Sequence, residues 1–102
     1  MYLVLFSKDA EKDKKLLKYA GLEKKAKNIL DILALNPYQT PPSYEKLLGN
    51  LNGNYSRRLN IHHRLVYEVQ PFDPELFPDL ERDKYEGVVL VKRMWSHYDD
   101  VR

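Results

Sequence analysis

The chain opens on five consecutive apolar, β-prone residues, Tyr2-Leu3-Val4-Leu5-Phe6. A run this short and uniformly apolar predicts a buried strand. Ser7 follows in the position of an N-cap, with acidic Asp9 and Glu11 where the first helical turn favours negative charge. A helix reaching about Tyr19 would turn Ala10, Leu17 and Leu16 inward, and Gly21 would break or cap it. The second helix has the clearest signal in the chain. Leu22, Ala26, Ile29, Leu30, Leu33 and Ala34 recur at helical spacing, while Lys24, Lys25 and Lys27 fall largely off that stripe. Asn36-Pro37 ends it, because the residue before a proline is pushed out of the helical region. The pair reads as a helical hairpin with a lysine-rich outer face.

Residues 39–43 hold two prolines and read as an extended loop. Residues 44–48 fit either a short helical turn or an irregular segment, closed by Gly49 and Asn52-Gly53. Two strands are predicted over about 55–61 and 64–70, with a tight connection through His62-His63 that makes them an antiparallel hairpin. In the second strand Leu65, Tyr67 and Val69 share one face, and Arg64, Val66 and Glu68 the other. Tyr67 and Val69 are assigned to the core. Residues 71–85, with three prolines and many acids, read as an exposed excursion, and a last strand covers about 87–95. The order β-α-α-β-β-β predicts an α+β domain: a two-helix hairpin on one face of a mainly antiparallel four-stranded sheet, the other face open. Nothing divides the chain, so residues 1–102 read as a single domain with 71–85 as an insertion loop.

Composition narrows the function classes. Apolar residues make up 43% and charged residues 31%, too apolar for a disordered chain. The absence of cysteine excludes a disulfide framework and a thiolate metal site. The longest apolar runs are far short of a membrane span, and the start lacks the regions of a signal peptide, so a cytoplasmic protein without membrane contact is expected. Net charge is only +2, but residues 1–69 hold twelve Lys/Arg against seven Asp/Glu, and residues 70–102 five against eight. The basic part suits a polyanion, although lysine-rich helices are commonly just solvated faces.

The four glycines are scattered and form no phosphate loop. His62 and His63 are neighbours and would point apart on a strand, so no zinc spacing exists. Ser56 beside two arginines lacks the elbow of a nucleophile. What remains is a scatter of Glu, Arg, His and Tyr along loops and strand ends. It becomes specific at Asn50 to Val69, NLNGNYSRRLNIHHRLVYEV. This stretch resembles the signature of the Txe/YoeB-type toxins: an L-x-G turn, an aromatic-Ser-Arg-Arg-aliphatic strand and an H-R-L-V-Y strand in fixed register. A glutamate six positions before the L-x-G leucine belongs to that pattern, and Glu45 stands six before Leu51. Trp95-Ser96-His97-Tyr98 matches the aromatic-x-His-Tyr tail.

The resemblance implies a RelE/ParE-like fold and the toxin of a toxin–antitoxin pair. It implies an endoribonuclease that cuts messenger RNA in the decoding site of the ribosome, with no metal or other cofactor. A cognate antitoxin of the YefM/Phd kind is the implied partner, and homodimerisation stays open. In such a reaction the 2′-hydroxyl attacks the adjacent phosphorus. Glu45 would be the base, Arg64 would stabilise the phosphorane with its planar fork of donors, and His97 would protonate the leaving 5′-oxygen. Tyr98 would stack on the scissile nucleotide. Arg57 and Arg58 alternate in facing; Arg58 is taken for RNA, leaving Arg57 to pair with a carboxylate. His63 is expected to hydrogen-bond within the site, and His62 to serve the turn.

The chain departs from the pattern in three places. Leu48 stands where a lysine is usual three residues after the glutamate, with Lys46 the nearby substitute for contacting substrate. The 71–85 excursion replaces a short turn and fits a lid, a dimer contact, a ribosome-specific element or a neutral insertion. Four residues follow Tyr98. The rivals are a ParE-like, gyrase-inhibiting toxin and a non-catalytic RNA-binding module of the same fold.

Overall fold

In the computed structural model, which describes residues 1–96, the opening apolar run forms strand β1 (Tyr2–Phe6). Ser7 leaves it in an extended conformation, and its Oγ accepts from the Ala10 amide at 3.1 Å, starting helix α1 (Lys8–Tyr19). The helix closes with the Ala20 amide on the Leu16 carbonyl and Gly21 in the left-handed region at φ 72°. Helix α2 (Glu23–Leu35) ends at Asn36, before Pro37. Ala10 and Leu17 of α1 and Ala26, Ile29 and Leu33 of α2 are buried. Leu16, expected inward, is 41% exposed. One residue is more than a quarter turn of helix, and Leu17 holds the core-facing position.

Four further strands follow: β2 (Glu45–Lys46), β3 (Asn54–Arg58), β4 (Arg64–Gln70) and β5 (Gly87–Ser96). They form one sheet in the order β1-β5-β4-β3-β2, with β1 parallel to β5 and all other pairs antiparallel. The fold is the α+β arrangement the sequence predicts, with a fifth strand added. That strand is β2, in the segment expected to be a helical turn or irregular. Glu45 and Lys46 pair with Ser56 and Tyr55, and the Leu47 amide extends the ladder to the Asn54 carbonyl at 2.9 Å.

Strand β3 stops at Arg58, earlier than the pattern suggests, and the turn is longer than two residues. The Asn60 side-chain oxygen accepts from the His62 and His63 amides at 2.8 and 2.7 Å. The Leu59 amide reaches the His63 carbonyl at 2.9 Å. An Asx-type turn therefore closes the hairpin.

The helices cover the sheet face that carries Leu65, Tyr67, Val89, Val91 and Met94, and Val69 packs at its margin. The opposite face bears Arg64, Val66 and Glu68, and it is less bare than expected: Ser56 and Val66 are fully buried. Lys92 Nζ lies 2.9 Å from Glu68, and this hydrogen bond, with help from Gln70, holds the Glu68 carboxyl below its ordinary value despite partial desolvation. A lowered folded pKa contributes stability above the value of the free carboxylate, and that contribution is lost as pH falls through the folded value. Glu68→Gln is accordingly expected to change the thermal midpoint near neutrality and to flatten its decline from roughly pH 5 downward. Melts between pH 7 and 3 check this; an acid limb identical to the parent's contradicts it.

Strand β5 outruns its parallel neighbour, since β1 ends at Phe6 opposite Val91 while β5 continues to Ser96. Helix α1 takes over the orphaned edge. The Ser7 amide donates to the Val91 carbonyl at 2.9 Å, and the Ser7 hydroxyl to the Lys92 carbonyl at 2.8 Å. Buried Asp13 then accepts from the Met94 amide at 2.8 Å and from Arg93 Nε at 3.0 Å. The strand end so anchored pairs Ser96 with Arg64.

The 71–85 excursion joins β4 to β5 at the other end of this hairpin, where Gln70 pairs with Val88. It has its own aromatic cluster, Phe72 lying 5.6 Å from Phe77 and 5.3 Å from Tyr85 between ring centres. A seven-residue strand at about 3.4 Å per residue separates it from Arg64 by roughly 20 Å. That placement does not suit a lid over Arg64.

Candidate functional site

Register brings the site together. Glu45 pairs with Ser56 across β2 and β3, and Arg58 pairs with Arg64 across β3 and β4. Ser56 and Arg58 are two apart and share a face, so all four side chains rise from one side of the sheet. They line a cleft of about 230 Å³ with Ser43 and Tyr44. Arg64 Nη2 lies 3.6 Å from Glu45 Oε1, the arginine side chain 14% and the glutamate 56% exposed. The Arg64 Nη1 also reaches Ser56 Oγ at 3.4 Å. Both distances exceed the 2.7–2.9 Å of a tight charge-assisted bond.

Of the six residues expected in a site, the structure thus gathers Glu45, Arg64 and Arg58. Lys46 points the other way. It alternates to the opposite side of β2, pairs with Tyr55, and lines a separate cleft of about 170 Å³ with Leu48 and Asn52. Leu48 itself is 82% exposed. His97 and Tyr98 lie outside the described residues; Ser96, the last residue described, is the register partner of Arg64.

One expectation about the neighbouring groups is corrected, and a second group gains a ring contact. Arg57 does face away from the cleft, but among the described residues its partners are not carboxylates: four hydrogen bonds run to three backbone carbonyls and the Tyr67 hydroxyl. The His63 ring makes no hydrogen bond through its buried Nδ1 among the described residues and stacks on Trp95 with ring centres 3.9 Å apart. Trp95 lies on β5, so this contact needed the tertiary pairing to be seen. Ser43, Tyr44 and Ser56 also line the cleft. Of these, only Ser56 carries a sequence signal for it, two residues from Arg58 on the same strand face.

Burial raises the Tyr67 hydroxyl above its ordinary value, and the opposing hydrogen bond from Arg57 does not reverse this. The phenol therefore stays protonated and donates to the Pro37 carbonyl at 2.7 Å. Among the described residues no three His, Cys, Asp or Glu side chains converge as a metal site, and no helix is long and apolar enough to cross a membrane.

A half-exposed carboxylate beside a largely sheltered guanidinium, with a second arginine across the same cleft, can accept a proton and bind an anion at adjacent points. Known proteins share the fold and part of the sequence. No family profile matches the chain. Toxin YoeB of Synechocystis sp. is 41% identical over 63 residues, 62% of this chain and 66% of that relative. The match thus spans just under two thirds of the relative's own length. The YoeB–YefM complex from Staphylococcus aureus contains a chain 29% identical, with a TM-score of 0.68, covering 96% of this chain and 99% of that one. A YoeB/ParE toxin from Agrobacterium tumefaciens aligns with a TM-score of 0.74 over 94% of this chain and 99% of that one; at 19% identity it speaks to fold alone.

Proposed function

We propose that this chain, a YoeB homologue of the RelE-type toxin family, cuts messenger RNA on the ribosome without a metal. It is a toxin of the type II toxin–antitoxin class. The observation that carries the catalytic reading is the Glu45–Arg64 pair in its cleft, 3.6 Å apart with Arg58 beside it. Glu45 takes the proton of the 2′-hydroxyl as that oxygen bonds to phosphorus. Arg64 stabilises the charge gathering on the phosphorane oxygens, and His97 gives a proton to the departing 5′-oxygen. The products are a 2′,3′-cyclic phosphate and a 5′-hydroxyl end. Tyr98 stacks on the scissile nucleotide, and the ribosome supplies the orientation that so open a cleft lacks.

The S. aureus protein was solved as a complex with YefM, which supports an antitoxin of that kind as the partner here. A homodimer is a further assembly in this reading, as is a cytoplasmic location. Lys46, on the far side of β2, contacts RNA outside the reacting cleft. The 71–85 segment is an insertion remote from the chemistry.

The test is chemical. In a reconstituted translation reaction, a single 2′-deoxy nucleotide at the scissile codon is expected to abolish cleavage there, since the nucleophile is gone. Cleavage that persists at the modified codon, or ends lacking the cyclic phosphate, overturns the mechanism. Arg58→Ala is expected to act on binding: a higher KM, kcat within about threefold, and a salt slope smaller by about 1. Kinetics at 50 and 200 mM salt check this, and a kcat loss at unchanged KM contradicts it.

A further inference from the structure

Arg57, the first arginine of the Ser-Arg-Arg run, is 1% exposed and takes no part in the cleft. Its register partner on β4 is the core residue Leu65. A guanidinium this deep needs compensation for lost hydration. Nη1 donates to the Pro42 carbonyl at 2.6 Å, and Nη2 to the carbonyls of Pro37 and Gln39 at 3.0 and 2.9 Å. Nε donates to the Tyr67 hydroxyl at 3.2 Å, and that hydroxyl donates onward to Pro37. The Tyr44 ring lies 5.1 Å from the guanidinium carbon. Three of the four acceptors, and the ring, belong to the segment that runs straight into Glu45.

That segment needs an external anchor. Between the end of α2 and the start of β2 it belongs to no helix or strand, and its prolines cannot donate backbone hydrogen bonds. One buried fork therefore fixes the carbonyls at 37, 39 and 42 from inside. We propose that Arg57 is a positioning residue for Glu45, an inference that rests on the nuclease reading above: it holds the loop that delivers the carboxylate to Arg64 and never touches RNA. A planar fork is what this geometry requires. Lysine would bring the charge but could not aim donors at carbonyls on three sides.

A merely structural arginine would lower stability and leave the chemical step untouched in the folded protein. A positioning arginine acts through Glu45 and loses its effect once the base is gone. Arg57→Lys and Tyr67→Phe are each made alone and with Glu45→Gln, and ribosome-bound message is cut under single-turnover and steady-state conditions. Amide exchange over residues 38–47 is followed in parallel. Arg57→Lys is expected to lower kcat about 10-fold to 10²-fold with KM within about threefold, and to speed exchange over 38–47 more than in β4. In the Glu45→Gln background it should cost less than about twofold more. Tyr67→Phe, the milder change, should move every readout the same way, and it carries the cycle alone if the lysine variant does not fold. Losses that multiply fully with Glu45→Gln, or parental exchange with parental kcat, overturn the proposal. If the parent protein cuts no RNA, the nuclease reading fails, and the exchange comparison by itself decides whether Arg57 holds the loop.

Discussion

Arg64→Ala is expected to slow RNA cleavage about 10³-fold while the protein still folds. The residue opens β4 and is paired on both sides, to Arg58 on β3 and Ser96 on β5, so its backbone is set by the ladder and survives truncation of the side chain. Its guanidinium stands between Glu45 and Ser56 in a cleft where a phosphate could replace the carboxylate as the main ionic contact. In the proposed reaction the phosphorane, with more negative charge than the substrate, would bind this fork more tightly than the substrate does. Arg64→Lys should recover part of the rate, because charge remains while two-point geometry is lost. Single-turnover rates alongside circular-dichroism melts provide the check. An alanine variant that is folded and cuts within about fivefold of the parent would contradict the role.

The second large effect concerns stability and has its origin far along the sequence. Asp13→Ala is expected to destabilise the fold by about 3 kcal/mol, since it leaves the buried Met94 amide without its acceptor and removes the carboxylate that Arg93 Nε holds at 3.0 Å. For a domain of this size that corresponds to a midpoint lower by roughly 10–25 °C. The damage should concentrate at the end of β5, where α1 supplies hydrogen bonds that β1 is too short to provide. Asp13→Asn keeps one acceptor for the amide and should cost less than the alanine. Calorimetry settles the point: a midpoint within about 3 °C of the parent would mean the Asp13 contacts stabilise nothing.

Most of the architecture could be read from periodicity. The five-residue apolar run, the serine cap and the stripe on α2 each carry a local signal, and each element formed where that signal placed it. Strand β2 had none. Two consecutive polar residues show no alternation, and they are a strand only because Ser56 and Tyr55 stand opposite. Sequence spacing placed Glu45 near Arg64 through family resemblance, and strand pairing supplied the physical reason. Arg57 shows the limit more sharply. Alternation correctly turned it away from the cleft, but carbonyls 15 to 20 residues distant became its partners. No local pattern distinguishes such an arginine from one held by a carboxylate. The His63–Trp95 stack likewise depends on β5 lying beside β4.

The direct trial of the central claim is a map of new 5′ ends in cellular RNA after brief induction, comparing the parent chain with Arg64→Ala. New 5′-hydroxyl ends inside translated codons, absent from untranslated regions and nearly absent with Arg64→Ala, are the expected result. Growth arrest with intact messages, or equal cutting by both proteins, would contradict a ribosome-dependent nuclease built on the Glu45–Arg64 cleft.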